Sequence, residues 1–220
     1  MLVAIADPQT PRDRLASLTL GQRDRRLLDL RLATFGDRLR SRATCPNCDE
    51  RLEFMLLGAE IAVDSDAAAE AGEHHDLTVD GYALTFRVPD SRDLASAATA
   101  GSVAEARRTL LSRCLVSARH GRKTMSVADL PESIVVRMAE RIAAVDSQAE
   151  VLIDLACPAC ESRWQLQFDI ATYFWAEISH WVGRLLEEVH VLASAYGWSE
   201  TDILSMPATR RRLYREFVGA

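Results

Sequence analysis

Apolar positions along this chain recur at helical spacing in several stretches and alternate at strand spacing between them. From Arg23 to Arg40, the residues Leu27, Leu28, Leu30, Leu32, Phe35 and Leu39 are set among charges. This predicts an amphipathic helix ending near Gly36, with an extended run after it. The opening residues, with Pro8 and Pro11, read as a loose arm. After Cys45-Pro46-Asn47-Cys48 the pattern changes: Leu52, Phe54 and Leu56 alternate with Arg51, Glu53 and Met55, a strand signature.

Asp64 to Asp76 is Ala-rich and acidic and reads as a linker or exposed loop. Leu77-Thr78-Val79, the pair Asp80-Gly81 and Tyr82 to Val88 predict a hairpin, because Asp-Gly supplies the positive φ angles of a tight turn, and Pro89 stops the second strand. Ser102 with Glu105 reads as a capping box opening a helix to about Ala118, ended by the turn His120-Gly121-Arg122-Lys123. A further helix begins at Pro131 and buries Ile134, Val135, Met138, Ile142 and Val145.

Val151 to Ala156 leads into Cys157-Pro158-Ala159-Cys160, after which Trp164, Leu166 and Phe168 alternate with Arg163, Gln165 and Gln167, predicting a second cysteine hairpin. A long helix follows from about Ile170 to Tyr196, with Phe174, Ile178, Trp181, Leu185, Val189 and Leu192 on one stripe and Gly197 just past its end. The last segment has Ser199 and Asp202 at cap spacing. A final helix from Pro207 sets Arg210, Arg211, Arg212 and Arg215 beside Leu213, Tyr214 and Phe217.

Composition changes this picture little. At 220 residues, 48% hydrophobic and 26% charged, the chain can bury a real core. No basic n-region precedes an apolar run and no stretch approaches a membrane span, so export and insertion are not expected. The net charge of −6 argues against whole-surface attraction to nucleic acid and leaves a local basic patch open.

The five cysteines matter more. Four of them fall in two C-P-x-C pairs, an arrangement that suits metal binding in a reducing cytoplasm better than secreted disulfides; the fifth, Cys114, reads as a small core residue. The segments beginning at Cys45 and Cys157 match in residue type at nearly every position, so one motif is used twice. Each C-P-x-C turn aims two thiolates to one side, leaving half a tetrahedron for the other to complete. We therefore expect one structural Zn²⁺ held by Cys45, Cys48, Cys157 and Cys160, although the two pairs lie far apart in sequence.

Two other readings stay open at this point: separate redox-active pairs, or a metal completed by His74 and His75. Redox pairs would sit at helix starts, whereas both of these lead into strands. No hydrolase, nucleotide-binding, zinc-protease or deaminase signature is present, so no catalysis is expected. Trp164 could stack on a base, but its strand spacing with Leu166 and Phe168 assigns it to the core.

The runs Gly21-Gln-Arg-Asp-Arg-Arg-Leu-Leu, Phe35-Gly36, Cys-Pro-Asn-Cys-Asp-Glu-Arg-Leu-Glu-Phe, Val88-Pro-Asp-Ser-Arg-Asp-Leu and Tyr196-Gly-Trp-Ser-Glu-Thr-Asp-Ile-Leu-Ser-Met-Pro carry a likeness over about residues 15–218. The pattern resembles the T-even phage family of baseplate hub assembly chaperones, in the version found in phage tail-like contractile injection systems. The resemblance implies a cytoplasmic bacterial protein that helps a baseplate hub and spike assemble, with no catalytic residues to carry over. Classical phage members need not share the cysteines. Phe35-Gly36 and the tail, with Trp198, Arg210, Arg211, Leu213, Tyr214 and Phe217, are the candidates for contact with hub or spike proteins.

The reading that results is an α+β chain. A zinc ribbon made of two C-P-x-C knuckle hairpins is expected, with an inserted hairpin plus helices and a long C-terminal helix. Residues 1–60 hold the arm, helix and first knuckle; 61–148 are inserted; 149–220 hold the second knuckle and terminal helices, joined to 1–60 through zinc. The expected function is non-catalytic baseplate assembly. The alternatives are a zinc-ribbon nucleic-acid binder and a structural subunit kept in the finished particle.

Overall fold

The fold was established from a computed structural model, which describes residues 2–63 and 72–219. The chain divides into two compact units, Met1–Ile170 and Ala171–Ala220. The boundaries expected near 60 and 148 both fall inside the first.

The N-terminal arm is helical where a loose segment was expected: α1 spans Leu2–Ala6 and α2 spans Arg12–Ala16, which buries Leu15. Pro8 and Pro11 delimit these short helices, with Pro11 at the N-cap of the second. The predicted amphipathic helix is α3, Leu20–Phe35. Thr19 caps it in a reciprocal box with Gln22, and Gly36, at φ 87°, ends it in a conformation open to glycine.

Strand β1 (Arg38–Thr44) and strand β2 (Arg51–Leu57) then form an antiparallel hairpin around the first cysteine pair. One short helix, α4 (Gly58–Ile61), follows and was not legible in the sequence. Most of the linker expected over Asp64 to Asp76 lies outside the described residues. At its end, His74, His75 and Asp76 begin strand β3 (His74–Val79).

β3 pairs with β4 (Tyr82–Arg87) through the predicted Asp80-Gly81 turn, with φ of 50° and 80°. The Val88-Pro-Asp run opens a helix that the periodicity missed, α5 (Ser91–Ala97), whose N-cap Asp90 exchanges hydrogen bonds with Asp93. Helix α6 (Val103–Cys114) begins at Ser102 as expected but stops four residues early. Glu105 gives its carboxylate to the Gly101 N–H and so does not close the reciprocal box.

Residues expected to continue that helix form β5 (Leu115–His120), which pairs with β4 through a bulge near Phe86. Long-range pairing along an open strand edge overrode the local helical pattern. The turn at Gly121 therefore joins two strands, β5 and the short β6 (Lys123–Thr124), in a sheet ordered β3-β4-β5-β6. Helix α7 (Glu132–Val145) starts after Pro131 as predicted and lays Ile134, Val135 and Met138 on this sheet's Leu84, Phe86 and Ala118, with Leu111 and Cys114 from α6.

Strand β7 (Val151–Ala156) and strand β8 (Arg163–Phe168) make the second cysteine hairpin. Trp164, Leu166 and Phe168 are half-buried on its inner face. The start of α3 is bonded to two distant loops. Leu20 N–H donates to Pro89 at 3.1 Å, while the Asp146 carboxylate accepts from Gly21 N–H at 2.9 Å and from the Thr19 hydroxyl at 3.1 Å. Burial raises the Asp146 carboxyl above its ordinary range despite those two donors.

The second unit is helical. Helix α8 runs Ile170–Tyr196, Gly197 follows at φ 68°, α9 spans Glu200–Ser205 and α10 spans Ala208–Val218. Along the predicted α8 stripe Phe174 and Leu192 are buried, whereas Trp181 is 45% exposed. Among the described residues no helix is long and apolar enough to cross a membrane.

Candidate metal centre

Each C-P-x-C turn is held by its own backbone. Cys45 N–H donates to the Glu50 carbonyl at 2.8 Å and Asp49 N–H returns to the Cys45 carbonyl at 3.0 Å. The second turn repeats this closely: Cys157 N–H to Ser162 at 2.9 Å, and Glu161 N–H to Cys157 at 2.9 Å. Asp49 and Glu161 both take φ 58°, a left-handed conformation that lets the chain reverse directly into β2 and β8. The equivalence read from sequence is thus an equivalence of backbone.

The two turns bring their sulfurs together. Cys45 Sγ lies 3.7 Å from Cys160 Sγ, and Cys48 Sγ lies 3.6 Å from Cys157 Sγ. All four sulfurs are within 4.8 Å of one another. A tetrahedron with metal–sulfur bonds of about 2.3 Å has edges of about 3.8 Å, so the cross-pair separations fit a shared ion. Soft thiolate donors select a thiophilic cation over magnesium or calcium.

The close sulfurs also perturb one another's acidity. Four thiolates this close repel one another unless a cation lies among them. At Cys48 the Glu50 backbone N–H favours the thiolate, but the sulfurs of Cys160, Cys157 and Cys45 outweigh it and the thiol is pushed up to about 12. Cys160, which accepts from Asn47 Nδ2 at 3.5 Å and from the Ser162 backbone, is drawn down to about 6. Cys45 and Cys157 are buried while Cys48 and Cys160 lie nearer solvent, so one edge of the cluster is protected. Asn47 also turns its backbone N–H to Cys45 Sγ at 3.4 Å. The sequence offered no signal for this asparagine.

Histidine does not enter the group: among the described residues it is the only cluster of three or more ligand-type side chains, and it is all cysteine. His75 instead lies 5.8 Å from the Phe86 ring, and His120 stacks on Tyr82 at 4.3 Å. Cys114 is buried in the core, and its desolvated thiol is held up at about 12.

The tail residues divide in two. Trp198 stacks on Tyr196 at 4.5 Å and meets Tyr214 edge-on at 4.8 Å. Arg211 donates to Glu188 at 3.2 Å and to the Met206 carbonyl at 2.7 Å, fastening α10 within its own unit. Arg210 lies 5.6 Å from the Tyr214 ring and is exposed. Leu213 and Phe217 project outward, 53% and 72% exposed.

No curated protein and no solved structure matches the chain. Residues 4–175 match the family described as T4 bacteriophage base plate protein; the match takes in both cysteine hairpins and ends before the tail run that begins at Tyr196. Since that is well over half of its length, the chain belongs to the T4 bacteriophage base plate protein family.

Proposed function

We propose that this chain is a non-catalytic assembly factor for the hub and spike of a phage tail-like contractile injection system, stabilised by a structural zinc ion in a ribbon made of its two cysteine hairpins. Membership of the base plate family carries the reading. In this view the flanking segments are joined through the metal, and residues 61–148 are inserted between them. Zinc suits four sulfurs at these separations, and a shell of four thiolates leaves no position for substrate, so the ion holds the fold and performs no reaction. A reducing bacterial cytoplasm would keep the thiols free to ligate.

The exposed Leu213 and Phe217, beside Arg210 on a helix whose other side is tied down, support contact between the tail and a hub or spike protein. An assembly factor acts and leaves. Mass spectrometry of purified particles should therefore find hub and spike proteins without this chain, while the chain captured before assembly carries them. Stoichiometric presence in intact particles would overturn the chaperone reading and make it a retained subunit.

A further inference from the structure

Helix α8 is apolar over more of its circumference than the protein covers. Beside the stripe that buries Phe174 and Leu192 runs a second one: Trp175, Ser179, Val182, Leu186, Val189 and Ala193. Its steps alternate between four and three residues, the spacing of a coiled-coil seam, over about 27 Å of helix. Trp175, Val182 and Leu186 are 50%, 39% and 55% exposed, Ser179 is exposed, and Val189 and Ala193 are half-buried. All six belong to the second unit.

The order of residues along this seam complements itself when reversed. Laid antiparallel on a second copy, about a two-fold axis beside Gly183, Trp175 meets Ala193, Ser179 meets Val189 and Val182 meets Leu186. Each layer pairs a larger side chain with a smaller one, so the seam fills evenly from end to end. A parallel pair would set Trp175 on Trp175 and Ala193 on Ala193, crowding one end and emptying the other. A groove on another protein could cover the apolar side chains, but it would not require the two halves of one seam to match each other.

The flanking positions agree. Ala176, Gly183 and His190, all exposed, line one edge, and the axis brings Gly183 against Gly183 and Ala176 against His190. Glycine inside a helix is less stable than alanine, and a Cβ at Gly183 would meet nothing within 4 Å. The isolated chain therefore gives no reason for this glycine, whereas close approach of two backbones does. The charged residues of α8, Glu177, Arg184, Glu187 and Glu188, lie outside the seam and its flanks, so two copies meet there without like-charge repulsion.

We propose that α8 pairs antiparallel with α8 of a second copy through this seam, making a two-fold symmetric dimer. Trp175, Val182 and Leu186 leave roughly 250 Å² of apolar side chain open on each chain, and the full seam brings the area buried by a pair near the ~1,000 Å² a specific interface needs. The seam uses none of the tail residues assigned to client contact, and it stands whether or not the chain is an assembly factor.

Sedimentation equilibrium of the full-length chain, from dilute to concentrated, should show monomer passing to dimer. V182E/L186E sets like charges against each other in the two central layers and should weaken the dimer roughly tenfold or more. V182E/L186R gives those layers opposite charges only if the helices run antiparallel, and should recover dimer relative to V182E/L186E. Both positions are exposed, so circular dichroism and melting should find the monomers folded. If they are not, Gly183→Phe decides: it enters open space in the monomer and must weaken the dimer. A wild-type chain that stays monomeric when concentrated, a dimer indifferent to V182E/L186E or to Gly183→Phe, or no recovery by V182E/L186R would each overturn the proposal. A monomeric wild type whose captured hub or spike protein is lost in V182E/L186E would overturn it in favour of a different partner.

Discussion

The Asp146 carboxylate fills the space a side chain would need at Gly21: a Cβ built there would lie 2.1 Å from Oδ1. The close approach lets Gly21 N–H donate to that carboxylate and ties the first turn of α3 to the end of α7. Gly21→Ala should cost roughly 2–4 kcal/mol in denaturant unfolding, since neither backbone nor buried carboxylate can yield cheaply. Asp146→Ala opens the space but leaves Gly21 N–H and the Thr19 hydroxyl without their acceptor, so the double variant should be clearly less destabilised than the sum of the two. Additive losses would show that the contact is not the constraint.

The metal reading predicts one zinc per chain by elemental analysis, and a large drop in melting temperature with chelator. Cys45→Ser and Cys157→Ser should each abolish binding and destabilise to a similar degree, with little further loss when combined. Cys114→Ser should keep full metal content. Two weakly bound ions per chain, or additive losses, would contradict a shared site.

Asp93 is buried between Arg87, which donates to it at 2.6 and 2.9 Å, and Arg113 at 2.7 Å. Burial alone would raise its carboxyl. Bonds from Arg87, the Asp90 N–H and Arg113 outweigh that and hold it down at about 2. Because the folded value lies below the ordinary 3.8, this carboxylate contributes stability that is present above about pH 4 and lost as pH falls toward about 2. Asp93→Asn should cost roughly 2–3 kcal/mol at neutral pH and flatten the acid limb of a stability–pH curve. An unchanged acid limb would remove Asp93 from the account.

In the tail, the surface and the scaffold should separate by mutation. Leu213→Glu with Phe217→Glu alters exposed side chains, so melting should barely move while co-purification of a hub or spike client is lost. Tyr214→Ala removes the edge contact with Trp198 and should loosen α10, seen as faster amide exchange across Ala208–Val218. Retained client binding in the double Glu variant would clear the tail of that role.

These residues also show what was legible in the sequence. The cysteine repeat could be read because identical backbone turns need near-identical residues, and the sulfurs meet as the repeat implied. The runs that carried the family likeness proved to be structural punctuation: Gly21 at a close approach, Gly36 and Gly197 at positive φ, Asp90 and Ser199 as caps, and Asp93 in an ion-pair network. Failures fell where distant partners decide local structure. Leu115–His120 follows a helical pattern until β4 offers a strand edge, and α4 and α5 are too short for periodicity to register. Asn47 beside Cys160 and the Gly21–Asp146 contact depend on segments far apart in sequence, which no local pattern encodes.

The 109 positions between Cys48 and Cys157 set an order of events during synthesis. At about 5–20 residues per second, the first pair of thiols leaves the ribosome on the order of 5–20 s before its partners exist. For that interval the nascent chain offers an incomplete ligand set, which holds a cation only loosely and can be completed by the same pair on a neighbouring polypeptide. On the metal reading proposed above, locking of the finished molecule is therefore a late step, and its yield should respond to how densely ribosomes are loaded on the message and to the supply of free metal.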